Sequence, residues 1–181
     1  MQAPAALTQV NAMGPPAPHI RRGQDEHEYE HELEDVMSAL GLPIIDNAVQ
    51  DANRWINEVN AHVGWDDKQR AYRLLRQVLH VVRDHLNVDE AAQLGAQLPT
   101  LIRGIYYEGW DPSRTPVKMR KPEEFIAAVQ AGFQTDPLGD AKEAIAAVFA
   151  VLDAHVSAGE MEEVKQAFTK EIRALFGGVE A

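Results

Sequence analysis

The sequence has no cysteine. Disulfides, thiolate nucleophiles, Cys-type zinc sites and iron–sulfur clusters are therefore excluded. No apolar run approaches the roughly 18–20 residues needed to cross a bilayer. The opening MQAPAALTQV has neither a basic start nor a continuous apolar stretch, so no secretory signal is expected and the expected location is the cytoplasm. There is no G-x-x-x-x-G-K-[ST] and no G-x-G-x-x-G, which leaves nucleotide use through those loops unsupported. Ser113 and Ser157 have no His/Asp constellation to activate them.

Positive charge is also scarce. Across 181 residues, 17 Lys and Arg face 28 Asp and Glu, a net charge of -11. The imbalance is uneven: residues 67–121 sum to +4 and the remainder to -15. A chain this acidic is a poor general nucleic-acid binder, because that affinity comes from neutralising phosphates. Apolar residues at 45% and charged residues at 25% are ordinary globular values, so most of the chain can bury a core.

What is present is helical patterning. No segment alternates with period two, and the chain reads as an all-α helical bundle. Residues 1–24, with Gly14-Pro15-Pro16-Ala17-Pro18, read as an extended N-terminal arm, and residues 25–181 as the helical domain. Helices are expected over Asp25–Leu40, Ile45–Val63 (stripe Val49, Ala52, Trp55, Ile56, Val59) and Asp66–Leu86. Asn87 with Glu90 predicts a capping box for the next helix. Pro99 suits the first turn of the one after it. A loop spans Glu108–Lys121. Pro122 opens a helix to about Phe133, and three more follow over Asp140–Val156, Ala158–Phe168 and Lys170–Phe176. Ser157 with Glu160 is a second capping box in form, and Thr169 a further cap.

A shift of 70 residues aligns two stretches without a gap. Val78 meets Val148, Val81 meets Val151, His85 meets His155, Glu90 meets Glu160, Ile102 meets Ile172 and Arg103 meets Arg173. Two units, about 71–106 and 141–176, are expected to form pseudo-symmetric three-helix repeats, each burying a face the other needs.

The strings RAYRLLRQVLHVVRDHL and DEAAQLGAQLPTLIRGIYYEGW, with AVFAVLDAHVSAGEMEEVKQAFTKEIRALF in the second unit, resemble the bacterial family named domain of unknown function 2267. The resemblance covers roughly Glu26 to Phe176. It implies a small helical fold of repeated units. It implies no catalytic residue and no ligand.

Several motifs carry candidate chemistry. His27-Glu28-Tyr29-Glu30-His31 has the H-E-x-x-H spacing that puts two imidazoles on one metal. Its surroundings hold seven acidic residues between Asp25 and Asp35 and no apolar wall. A zinc hydrolase is disfavoured; His27 and His31 stand as a weak metal-site candidate beside the plainer reading of a solvated acidic helix. A di-iron centre needs further Glu-x-x-His pairs that are missing. His85 and His155 are expected to interact with the carbonyl ends of their own helices. Arg103 and Arg173 are expected to pair with Glu90 and Glu160, with anion binding as the sharper alternative.

Tyr106, Tyr107, Glu108, Gly109 and Trp110 form an aromatic turn that the second unit lacks. Its plain reading is a packing plug. Its functional reading, with Arg103, is a groove for a ligand or partner. Arg114, Lys118, Arg120 and Lys121 follow in a loop that fits phosphate, an acidic partner or plain solvation. No nucleophile, base or cofactor cradle assembles. The expected role is a non-enzymatic protein-interaction or self-assembly module, with a protein partner or a homo-oligomer, no cofactor, no membrane and no nucleic acid. The alternative is a small-molecule or metal binder using the aromatic turn or the His27/His31 helix.

Overall fold

In the computed structural model, residues 41–177 are described. The arm at 1–24, the expected Asp25–Leu40 helix and the His27/His31 pair lie outside the described residues. Among the described residues, eight α-helices and three 3₁₀ turns make up the regular structure and no strand occurs.

Helix α1, Pro43–His62, starts with Pro43 in its first turn, where the missing N–H is no loss. It stops in a Schellman arrangement. Gly64 takes φ +65°, its N–H donates to Ala61 O at 3.2 Å, and the Trp65 N–H donates to Asn60 O at 3.1 Å. Helix α2, Lys68–His85, begins where the Asp67 carboxylate accepts the Arg70 N–H at 3.0 Å. Helix α3, Val88–Gln97, has the expected reciprocal box: Asn87 Oδ1 accepts from Glu90 N and Glu90 Oε2 from Asn87 N, both at 2.9 Å. Helix α4, Thr100–Tyr107, has Pro99 as N-cap rather than in its first turn.

The loop after α4 contains a 3₁₀ turn at Pro112–Arg114. Helix α5, Pro122–Gln130, tightens into 3₁₀ at Ala131–Phe133. Helices α6 (Ala141–His155), α7 (Ala158–Gln166) and α8 (Lys170–Arg173) complete the set, with a final 3₁₀ turn at Ala174–Phe176. The expected last helix is thus α-helical for one turn only. The second capping box forms one arm: Ser157 Oγ accepts from Glu160 N at 3.4 Å and the Glu160 carboxylate does not reach back. Burial and the neighbouring Glu163 raise the Glu160 pKa instead.

Helix α2 touches α1, α4, α5 and α6, so it is central. Its Ala71, Leu74, Leu75, Val78, Leu79 and Val82 are fully buried. At the 70-residue shift, helix ends coincide at His85 and His155, and N-caps at Asn87 and Ser157. Each member of the pairs Leu75/Ile145, Val78/Val148, Leu79/Phe149, Leu94/Val164, Ile102/Ile172 and Tyr106/Phe176 is buried. α2 packs on α6 and α3 on α7, like on like. Phe176 stacks on Phe149 at 3.7 Å, and Phe125 meets Phe168 and Phe176 edge-on.

The last turns of α2 bind backbone from other elements. His80 Nε2 lies 2.7 Å from Ile105 O. Arg83 donates to Tyr106 O, and to Glu108 O at 3.1 Å. Asp84 O accepts the Val117 N–H at 2.6 Å. His85, only 1% exposed, accepts the Met119 N–H on Nδ1 at 3.1 Å and lies 3.1 Å from Ala167 O through Nε2. An Nδ1 that accepts leaves the proton on Nε2, which donates to Ala167 O. The ring also stacks on Phe168 at 4.0 Å. His85 therefore binds the end of α7 and the 108–121 loop, not the carbonyls of its own helix.

Burial pushes the pKa of both His80 and His85 below the usual imidazole value, against an opposing backbone hydrogen bond in each case. The unfolded chain then binds more protons than the native one. This contribution to stability is complete above about pH 6.5 and is lost as pH falls from there through the depressed native pKa values. Denaturant midpoints are expected to fall between pH 7.5 and pH 5.5, and the fall is expected to shrink in a His80→Gln/His85→Gln variant. Equal pH dependence in the two proteins would contradict this assignment.

Candidate functional site

The aromatic turn closes α4. Gly109 takes φ +66° and the Trp110 N–H donates back to Tyr107 O at 3.1 Å, so Trp110 folds onto the helix it follows. Tyr106 is fully buried and its hydroxyl donates to Ala91 O at 3.0 Å. The Tyr107 hydroxyl approaches the same carbonyl at 3.5 Å. The two tyrosine rings meet edge-on at 4.9 Å, and Tyr107 lies 5.3 Å from Trp110. Gly95 makes room for this arrangement. A Cβ there would stand 2.2 Å from the Tyr107 hydroxyl oxygen, so α3 offers a notch that only glycine provides. Burial holds the Tyr106 phenol well above its usual range, which removes it as a proton donor or nucleophile near neutrality.

Charged groups surround the turn, and most are already matched. Arg83 is 3% exposed. Its guanidinium binds the terminal carbonyls of α4 and the Asp84 carboxylate at 2.8 Å. A cation at a helix C-terminus also meets the negative end of the helix dipole. Glu108 pairs with Arg76 at 2.6 Å. Arg76 holds the Glu108 carboxyl below the usual carboxylate range, and Glu108 raises the Arg76 pKa in return. Both side chains are substantially exposed, so this pair adds little to stability.

Arg103 does not pair with Glu90. Its Nη2 donates to Leu98 O at 2.9 Å, answering an orphan carbonyl at the end of α3. The Glu90 carboxylate is already engaged by the Asn87 N–H. Arg173 is exposed and makes no pair with Glu160. His155 differs from the expectation too. Its Nε2 lies 2.6 Å from Glu58 Oε2 and its ring stacks on Trp55 at 5.0 Å, whereas His85 binds backbone. The two equivalent histidines thus have separate partners. Among the described residues, no group of three His, Asp or Glu side chains is arranged to hold a metal.

The residue pattern of the family described as "Uncharacterized conserved protein (DUF2267)" matches residues 52–175. The chain belongs to the DUF2267 family. The match spans α1 from Ala52 through the final 3₁₀ turn at Leu175, and so includes the aromatic turn and every residue that braces it. No curated protein matches the chain.

Within this DUF2267 chain Tyr106, Tyr107, Glu108 and Trp110 gather at the C-terminal end of α4, whereas Arg103 reaches back to Leu98 O, ahead of the start of that helix, and is not brought to them. Of the group, Trp110 alone keeps an unmatched polar atom: its Nε1–H is buried and has no hydrogen-bond partner. The sequence reading overlooked Arg83, Asp84 and Gly95. One signal was there: Arg83 is a cation between Val82 and Leu86, amid the apolar residues of α2, where a charge needs a buried partner. Replacing Arg83 by Met keeps the bulk and orphans the α4 carbonyls. We expect a loss of about 2–4 kcal/mol in unfolding free energy, read by denaturant titration; a loss near zero would show that the carbonyls find water instead.

Proposed function

We propose that this protein is a non-enzymatic module for protein–protein contact, self-association being its first form. The observation that carries this reading is the apolar stripe of α1. Ile45, Val49, Ala52, Ile56 and Val59 recur at helical spacing on one face. The C-terminal half of the stripe is covered, with Ala52 and Val59 buried in the core. The N-terminal half is not: Ile45 and Val49 are 42% and 40% exposed, and the neighbouring Ile44 is 75% exposed. A core-type stripe that runs past the core it packs on is a surface for a partner. The polar groups support the same reading, because Arg76, Arg83, Arg103, His80 and His85 all serve internal contacts. Sedimentation velocity across a wide concentration range tests it. Ile44→Glu/Ile45→Glu/Val49→Glu is expected to abolish association while changing stability by less than about 1.5 kcal/mol. A wild-type chain that stays monomeric throughout would sink the self-association form.

The unmatched Trp110 Nε1–H favours a second reading, a small-molecule contact at the aromatic turn. A bound acceptor there would quench or shift tryptophan emission on ligand screening. Trp110→Phe is expected to remove that response and leave unfolding nearly unchanged; a response that survives in this variant points elsewhere. The metal reading at His27 and His31 lies outside the described residues and draws no support from the fold.

A further inference from the structure

Between α4 and α5 the loop carries Arg114, Lys118, Arg120 and Lys121, all exposed. None of the four forms an ion pair or a side-chain hydrogen bond among the described residues, whereas Arg54, Arg70, Arg73, Arg76, Arg83 and Lys165 each have a carboxylate. The reason is local. Of the three carboxylates that flank the loop, Asp111 and Glu124 are used by backbone and by a hydroxyl, and Glu123 forms no ion pair with the loop cations. Asp111 Oδ1 accepts the Ser113 N–H at 3.0 Å and its hydroxyl at 2.7 Å. Glu124 Oε2 accepts the Arg120 N–H at 2.7 Å and the Lys121 N–H at 3.3 Å. These bonds hold both carboxyls below their usual range.

The backbone under the cations is fixed at three points. The Val117 N–H donates to Asp84 O at 2.6 Å, the Met119 N–H to His85 Nδ1 at 3.1 Å, and the Thr169 hydroxyl to Arg120 O at 3.2 Å. Four cations on an anchored backbone make a surface whose backbone ordering cost is already met by the fold. The occupant must be anionic and short. A long polyanion such as nucleic acid would run from the patch onto a molecule carrying -15 outside residues 67–121, where it is repelled. A short acidic stretch matches the patch in charge, and this sequence contains one: seven carboxylates from Asp25 to Asp35.

We propose that the Arg114–Lys121 loop is a docking surface for the acidic segment 25–35 of a second copy of this chain. The contact rests on the self-association reading and adds an electrostatic latch to it. Opposite charges steer the encounter and set the register, while apolar contact supplies most of the affinity.

The test uses the full chain as an equal mixture of unlabelled and nitrogen-15-labelled protein, joined by a carbodiimide that links carboxylates directly to lysine amines. We expect mixed-isotope linked peptides joining Lys118 or Lys121 to carboxylates of residues 25–35. Their yield should fall several-fold when salt rises from about 0.05 to about 0.5 M. It should fall as far in an Arg114→Glu/Arg120→Glu variant, which keeps both lysines, so the loss reports docking rather than a missing acceptor. Links confined to one isotope, links elsewhere, no links, or equal links in the variant each overturn the proposal. So does tighter capture of a short single-stranded oligonucleotide by the same loop, read by fluorescence anisotropy. Sedimentation on the same samples separates the two readings: an oligomer without these links defeats the latch alone, and a monomer at every concentration defeats both.

Discussion

A nearly fully buried guanidinium closes the end of α4, and much of the fold's polar organisation follows from it. Arg83 must meet a carboxylate and carbonyls at once, because an unpaired charge at that depth would be severely destabilising. Meeting them sets where α4 ends relative to α2. That end point in turn places Tyr106 under Ala91, Tyr107 against Gly95 and Trp110 back over Tyr107. The neighbouring positions of α2 extend the pattern. His80 takes the next carbonyl of α4, Asp84 O holds the loop at Val117, and His85 ties that loop to the end of α7. One helix end therefore fixes three separate pieces of backbone through polar atoms, while its apolar face fills the core.

This arrangement belongs to the first unit alone. At the 70-residue shift, His80, Arg83 and Asp84 correspond to Ala150, Asp153 and Ala154. Asp153 turns outward to Lys165 instead, and His155 turns to Glu58. The two units share their apolar positions and their cap positions and differ in polar chemistry. The aromatic turn and the cationic loop both follow the helix end that carries the buried arginine.

Much of the fold was legible because it rests on local rules. Gly64, Asn87, Ser157 and Thr169 each start or stop a helix by satisfying backbone groups within a few residues, and Pro122 starts one by bringing no N–H that needs a partner. The apolar stripes of α2 and α6 carry helical period strongly enough to be read directly. The candidate site was less legible. Its residues could be named, but their partners could not, since Arg103 reaching Leu98 O and Arg83 reaching Tyr106 O depend on where α3 and α4 end in space. Glu90 looked like a partner for Arg103 and was unavailable, having turned to its own cap.

The sequence by itself determined the all-α class and the positions of most helix ends, because helical period and capping act over a few residues. It also excluded every chemistry that needs a thiol or thiolate. Tertiary structure decided which polar groups are left over. Arg76, Arg83, His80 and His85 are matched by backbone or carboxylates brought from 23 or more residues away, except for the Arg83–Asp84 pair. Among the described residues the loop cations form no ion pair and the first half of the α1 stripe stays exposed. Burial and partnership are properties of the packed molecule, and they separate a structural arginine from one available to a partner.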